Sequence, residues 1–461
     1  MQVPKLERDM GIEVYATSTV GIGGVIRESV EDFVVEELLV DGSKATVNPP
    51  EDHVQHQVLG SSPARSTHLL CVLVKRNWDT FMAMRIVAKH LNIPSSRIHF
   101  AGIKDAKAVT AQHVTVEETT AEDIGKLDMR DIELRPVGYL RHPISSYYLL
   151  GNSFCITISQ IDHEETIVQT QMKETVEQLA NLGGVPNFYG HQRFGTTRSI
   201  THHVGKALVQ GDIRQAAMLF LAEPFPDEHP ESQQARKQLR ETQDYRKALE
   251  EFPKQLRYER FMLRCLVEKP DDFVGAFRML PSRLRLLFVQ AYQSYLFNKS
   301  LSMRISEGLP LNRVVAGDYA VGVERSGLPA VVMFKRATAE NLSEINDAVV
   351  KGKTRLALPL IGFRQRFSQG QQGEIEKQIL EQEDIRPEDF RIQAIPETSS
   401  KGELRTATTP ISGLTLETTS ASQHDTSKSK ATLGFILQRG SYATVVLREI
   451  MKPSDPVIAG F

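Results

Sequence analysis

A chain of 461 residues, 41% hydrophobic and 24% charged, is too long for one ordinary core and too ordinary in composition to be largely disordered or fibrous, so two or three domains are expected. Its formal net charge of −2 excludes a uniformly basic surface but not a basic cleft. Cys71, Cys155 and Cys265 are odd in number, far apart and without a Cys-x-x-Cys pattern, which excludes a disulfide frame or a clustered zinc site and reads as reduced cytosolic thiols. No apolar leader precedes the first charges and no run approaches the length of a membrane span, so a soluble, cytoplasmic protein is expected.

Residues 1–24 mix polar residues and glycines and read as a lead-in. Val25 to Val40 is strand-like around Phe33-Val34-Val35, and 41–64 reads as a loop. His68 to Lys75 is an apolar strand. Asp79 is placed to cap a helix running to about His90, with Phe81, Met82, Ile86 and Val87 as its apolar residues. A short strand then enters a Gly-containing turn, followed by the segment Val109 to Val116. A short helix in 118–129 and a strand-rich region over 131–160 follow. Glu164 to Leu182 has helical periodicity and stops at Gly183-Gly184. Strands and helices mix here without regular βαβ alternation, which predicts α+β with a mixed, mostly antiparallel sheet.

From about 213 the character changes. Residues 213–305 read almost entirely as helix, strands return at 316–334 and 355–362, and Glu374 to Asp384 is helical again. This predicts a largely helical α/β domain inserted at 213–404 between two parts of the first domain, 1–212 and 405–461. Ser and Thr dominate 396–430, and Thr418 to Lys430 reads as mobile; Leu433 to Leu437 is a final strand.

The turn after His99-Phe100-Ala101 carries the chemistry. Gly102-Ile103-Lys104-Asp105 sets a carboxylate beside a cation at the tip of two strands, with Gly102 easing the backbone and close approach. A neighbouring cation favours the charged form of an acid, which a nucleophile or base requires. Spacing alone favours a surface turn holding an incidental ion pair over a site. Neighbours on an extended strand point to opposite faces, so Lys104 reaches Asp105 only through the turn.

Gly102-x-Lys104-Asp105-x-x-Ala108-x-Thr110-x-Gln112 resembles the signature of the TruD-type tRNA pseudouridine synthases. Four further segments resemble that family's elements in the same order. They are Glu31-Asp32-Phe33-Val34-Val35-Glu36-Glu37, Gly151-Asn152-Ser153-Phe154, the run from Val185-Pro186-Asn187 to Gly195, and the run from Gly440-Ser441-Tyr442 to Glu449. Together they span 31–449, while the middle, 213–404, corresponds in place rather than in detail. The resemblance implies a discontinuous catalytic domain of pseudouridine-synthase type closed by the inserted TRUD domain. It further implies uridine isomerisation in tRNA, at uridine 13 of the D-arm, with no cofactor and no metal.

Asp105 corresponds to the family's catalytic aspartate, and Lys104 is its neighbour. The reaction breaks the N1–C1′ glycosidic bond, turns the uracil and joins C5 to C1′. An aspartate can start it as a nucleophile at the base or at C1′, or by taking a sugar proton. The target leaves its stack, so a flat apolar or aromatic surface is expected. The resemblance sets Phe33 and Tyr442 near that pocket, Tyr442 standing where relatives often have Phe. Asn187 suits a uracil edge, Tyr189 a stacked base, and Gln192 and Arg193 a phosphate; taken alone, Phe188, Tyr189 and Phe194 read as core residues before site residues. The family more often has Tyr at 188 and Phe at 189.

Arg193, Arg198, Lys206, Arg214, Lys75, Arg76 and Lys104, with Arg278, Arg283 and Arg285, are candidates to line an RNA channel. Arg448-Glu449 reads as a structural ion pair. His202-His203 does not read as a metal site, because adjacent histidines diverge and no Cys or acidic ligand lies near in sequence. Two rival readings use the same residues differently: an RNA-binding protein without chemistry, and a hydrolase with paired carboxylates.

Overall fold

Alternation in Phe33-Val34-Val35-Glu36-Glu37-Leu38-Leu39 produces a strand whose odd positions are buried, and Glu37 lies on that buried face. It is a central strand of a nine-stranded sheet seen in a computed structural model that describes residues 2–49, 67–195, 197–422 and 425–461. In chain order the strands are β1 (Val25–Ile26), β2 (Phe33–Leu39), β3 (His68–Arg76), β4 (Ile98–Phe100), β5 (Val109–Glu117), β6 (Ile132–Leu140), β7 (Leu149–Ile161), β8 (Ser412–Ser422) and β9 (Asp425–Gln438). Their order is β8-β9-β7-β2-β5-β3-β6, with β1 on β7 and β4 on β5. Only β2 and β5 run parallel; the other described pairings in this sheet are antiparallel. The α+β, mostly antiparallel architecture is therefore present.

Helix α1 (Thr80–His90) starts where the sequence placed it: Asp79 Oδ1 accepts from the backbone N–H of Phe81 and Met82 at 2.9 and 3.1 Å. Of the expected apolar residues, Val87 is buried and Ile86 packs against the core, but Phe81 and Met82 do not. Ala83, Met84, Val87 and Ala88 pack on Leu69, Cys71, Leu73, Val114 and Val116, while Phe81 and Met82 are exposed. Helix α2 (Glu165–Asn181) ends at Gly183, whose φ of +80° and N–H to Ala180 O form the expected left-handed stop. Helix α3 (Ala443–Met451) is buried along its whole length.

Two further expectations change. Val25 to Val40 is not one strand: Arg27 has a left-handed φ of +60°, and the 3₁₀ turn Val30–Asp32 separates β1 from β2. Within Thr418 to Lys430, the described residues 418–422 and 425–430 are strand: the backbones of Thr418 and Ala431, and of Thr419 and Lys430, pair between β8 and β9. Polar β-branched residues suit a two-stranded ribbon as well as a loop, and pairing decided the outcome. Most of the loop read at 41–64 lies outside the described residues.

The chain forms two compact units. One comprises Thr17–Val185, Arg325–Leu328 and Thr409–Phe461; the other comprises Met1–Ala16, Pro186–Glu324 and Pro329–Thr408. The sheet above belongs to the first. The second is largely helical, with helices from Thr201–Val209 to Ser282–Ser306 around a core that includes Phe220, Phe277, Phe288 and Tyr292. It also holds an antiparallel sheet in the order Pro329–Arg336, Tyr319–Val323, Thr354–Leu360, Glu403–Thr406. The two units divide at 185/186, ahead of Thr201–Val209, which packs against Ile213–Ala222 and Ser282–Ser306.

Gly151 shows why a glycine opens the Gly-Asn-x-Phe segment. It lies between Leu38 and Gln438 in the sheet, and a Cβ there would meet Leu437 O at 2.1 Å. Gly151→Ala therefore forces the β7–β9 ladder apart and is expected to lower unfolding free energy by about 1–3 kcal/mol. Urea denaturation of the two proteins measures this, and an unchanged midpoint would show that the ladder yields freely.

Candidate active site

The turn between β4 and β5 is held by side chains that reach its backbone. Gln112 Nε2 donates to Gly102 O at 3.1 Å. Thr80 Oγ1 accepts from the Lys104 N–H at 3.1 Å and donates to Lys104 O at 3.2 Å. Lys75 Nζ donates to Asp105 O at 2.6 Å. Gln112, Thr80 and Lys75 are each fully buried, so the turn is tethered from the sheet and from the first turn of α1. Gly102 does not adopt a left-handed conformation. Space is what it supplies, since a Cβ would approach Leu149 Cδ2 to 3.3 Å and Lys104 Nζ to 3.7 Å.

Lys104 and Asp105 point apart. Lys104 turns inward: Nζ lies 2.7 Å from Glu37 Oε2 and donates to Asn152 Oδ1 at 2.7 Å. Glu37 Oε1 also accepts from the His113 N–H at 2.9 Å and lies 3.2 Å from His113 Nδ1. Burial alone would raise the Glu37 carboxyl above its ordinary range, but the His113 hydrogen bond and the Lys104 charge outweigh it and leave it lowered. The cation beside Asp105 is instead Arg27, with Nη2 at 3.1 Å from Asp105 Oδ1. The expectation that Lys104 is that cation is thus corrected, for the reason that neighbours on extended chain face opposite ways.

Arg27 is itself fixed. Nη1 donates to Gly460 O at 2.8 Å, and the guanidinium lies 4.0 Å above the ring centre of Phe33. Burial pushes the guanidinium below its ordinary value and Asp105 opposes the shift. Phe33 is 1% exposed and sits edge-on to Phe154 at 6.4 Å, so its ring supports Arg27 and offers no open face. The Asp105 side chain remains 21% exposed. The result is a solvent-reaching carboxylate, oriented by a buried guanidinium, on a tethered backbone. Tyr442 caps α3 in the same unit, half-buried, with Val445 N–H donating to its carbonyl.

Asn187, Tyr189 and Arg193 lie in the other unit and are joined there by Arg405. Arg405 Nη2 donates to Asn187 Oδ1 at 2.7 Å and Nε to Asn187 O at 3.0 Å. The Asn187 amide nitrogen donates to Thr406 O and Oγ1, both at 3.1 Å. Arg405 lies 4.0 Å over the Tyr189 ring, whose edge meets Phe297. Arg193 donates to Ser294 Oγ at 3.0 Å, 5.5 Å from the same ring. Phe188 and Phe194 are core residues.

Several basic candidates are committed elsewhere. Lys75 is buried; Arg198 is tied to Glu228 and to the carbonyls of Leu219, Phe220 and Glu223; Lys206 pairs with Glu383 and Arg285 with Glu397. Arg278 and Arg283 are exposed. Arg448 and Glu449 form a buried pair at 2.8 Å, with Glu449 also accepting from Thr17. The rings of His202 and His203 do not diverge: their centres are 3.9 Å apart, and burial pushes His202 down to about 3.

Sequence reasoning missed Arg27 and the tether role of Lys75. A lysine ending the apolar run His-Leu-Leu-Cys-Val-Leu-Val was a visible signal for burial; nothing local marks Arg27.

Comparison with known proteins agrees with these motifs. The family model for tRNA pseudouridine synthase D (TruD) matches residues 9–450. A Methanosarcina acetivorans protein named "Probable tRNA pseudouridine synthase D" is 39% identical over 457 residues, covering 99% of both chains. A Pyrococcus abyssi protein of the same name is 36% identical, covering 95% of this chain and 98% of its own. The crystal structure of a Methanosarcina mazei protein titled as a tRNA pseudouridine synthase D is 38% identical, with a TM-score of 0.82 over 98% of this chain and 99% of that one. The chain belongs to the TruD family of tRNA pseudouridine synthases.

Burial pushes Lys75 down to about 8, against the pull of Asp105 and Asp79. Between pH 8 and the unfolded value near 10.4 the folded chain then binds fewer protons than the unfolded chain, so this group makes stability rise with pH across that window. Below pH 8 the cost of burying the charge is present in full. Lys75→Met is expected to lose this rise. Unfolding of both proteins followed at pH 8 and pH 10 tests it, and equal pH increments in the two would remove the assignment.

Proposed function

We propose that this chain converts uridine to pseudouridine in tRNA, at uridine 13 of the D-arm, with Asp105 as the nucleophile acting on a flipped-out base. The observation that carries the reading is the Arg27–Asp105 pair at 3.1 Å on a backbone tethered by Lys75, Thr80 and Gln112. The names of the relatives supply the substrate class. Asp105 is exposed enough to meet a base, and Arg27 orients its carboxylate and balances its charge. Lys104 acts at one remove, by turning its neighbour outward. Phe33 holds Arg27 in place, and Tyr442 offers a ring in the same unit. Tyr189 and Arg193, organised by Arg405, are read as contacts to the RNA, and Asn187, 6% exposed with its amide spent on Arg405 and Thr406, holds Arg405 in place instead of reading a uracil edge. No helix among the described residues is long and apolar enough to cross a membrane, and a tRNA substrate fits a cytoplasmic enzyme.

Asp105→Asn keeps the size of the side chain and removes the nucleophile. It is expected to abolish pseudouridine at position 13 while tRNA affinity stays within a few-fold. Base-resolved mapping of tRNA incubated with each protein reads the outcome. Substantial pseudouridine from the Asn variant would sink the role of Asp105, and a product at another uridine only would sink the site. Binding of tRNA by the wild type without any product would favour the non-catalytic alternative.

In this reading the sheet unit carries the chemistry and the helical unit grips RNA. Arg278 and Arg283 are exposed and close in sequence there. If each neutralises a phosphate, Arg278→Ala with Arg283→Ala should reduce the slope of log affinity against log salt by about one unit per arginine removed. Titration of tRNA at several salt concentrations decides it; an unchanged slope takes both arginines off the RNA path.

A further inference from the structure

The outer end of the β3–β5 ladder carries two imidazoles and a carboxylate that the catalytic reading does not use. His68 on β3 pairs across the ladder with Glu117 on β5, and His99 on β4 pairs with Thr115, two residues earlier on the same strand. With a side-chain period of two, His68, His99 and Glu117 share one face. The opposite face, with Leu69, Ile98, Val114 and Val116, is taken up by the core under α1.

Both histidines aim Nε2 at the same oxygen. His99 Nε2 is 2.7 Å and His68 Nε2 3.5 Å from Glu117 Oε1, and one ligating atom from each of the three lies within 4.8 Å of the others. The His68 ring is oriented from behind by Thr67, whose Oγ1 lies 2.9 Å from Nδ1. All three side chains are half-buried, at 13%, 31% and 34% exposure, so the face is reachable from solvent. The neighbouring arginine, Arg97, has its charge taken up by Glu118 at 3.0 Å.

From this geometry we propose that His68, His99 and Glu117 form a site for a divalent transition-metal ion of the zinc class. Two neutral imidazoles and one carboxylate are the donor set that zinc favours, and they leave a fourth position for water. Metal–ligand bonds of about 2.0–2.1 Å in a tetrahedron put ligand atoms roughly 3.3 Å apart. The His68–Glu117 separation already fits, and the half-exposed His99 has to withdraw by roughly 0.6 Å to exchange its contact with Glu117 for the metal. Thr67 supplies the outer hydrogen bond that metal-bound histidines use to hold their orientation.

The site lies at the end of β5 away from the Asp105 turn, Glu117 being eight residues and about 27 Å of strand from Val109 at ~3.4 Å per residue, so it staples three strands and takes no part in catalysis. It does not depend on the substrate assigned above. Binding should weaken as pH falls through the imidazole range, because protons compete for the same nitrogens.

The test uses the full, tag-free chain. After equilibrium dialysis against Zn²⁺, the wild type should hold one ion per chain and melt at higher temperature than after chelation. His99→Ala and Glu117→Gln, each checked for native circular dichroism, should each lose affinity by more than the roughly 10–100-fold that loss of an outer hydrogen-bond partner costs. Cobalt(II) bound to the wild type should show tetrahedral d–d bands without a thiolate charge-transfer band, a readout that does not require the variants to fold. Absence of stoichiometric zinc, one zinc retained in both variants, or a thiolate band that moves the metal to a cysteine would each overturn the proposal.

Discussion

A carboxylate buried inside the sheet has to be neutralised, and the way Glu37 is neutralised sets the direction of Asp105. Glu37 is fully buried on the inner face of β2, next in the ladder to β5 and β7. Leaving such a charge without its partner costs on the order of 3–5 kcal/mol, so the ion pair with Lys104 is a strong local constraint. Lys104 has to enter the sheet to make it, with Asn152 and His113 completing the cluster. Once Lys104 points in, its neighbour points out. The two adjacent charges of the Lys-Asp turn therefore belong to different networks: one buried and structural, the other reaching solvent beside Arg27.

The tethers on the turn act on its backbone, which explains how a flexible-looking Gly-containing loop can present one carboxylate in one place. Gln112, Thr80 and Lys75 arise from three different elements, so the position of Asp105 depends on β5, α1 and β3 at once. Arg27 comes from a fourth place, at the kink between β1 and β2, and is held by Phe33 and the carbonyl of Gly460 near the end of the chain. Preorganisation of this kind places a reacting group without an entropy cost at the moment of reaction.

The helical unit uses much of its positive charge internally. Arg236 is 1% exposed between Glu228 and Glu259, and Arg304 is fully buried against Asp318. Arg405 spends its guanidinium on Asn187 and the Tyr189 ring. A near-neutral formal charge thus says little about surface potential here, because many arginines are structural fasteners. Buried guanidinium–carboxylate pairs hold geometry more than they add stability, since desolvation offsets most of their attraction.

Local chemistry was legible without a structure wherever it depended on few, near neighbours. The Asp79 cap, the Gly183 stop, the helices after 213 and the strand–turn–strand around Asp105 all follow from short-range patterns, and the family follows from five motifs in order. Less legible was anything set by pairing between distant segments. The face buried by α1, the pairing of β8 with β9 and the division at 185/186 depended on what each segment met. In the site, the sequence by itself determined that an aspartate and a lysine adjoin at a turn. Only the tertiary structure decided which cation serves the aspartate, because Arg27 and Asp105 are 78 residues apart and the buried charge of Glu37 claims the lysine next door.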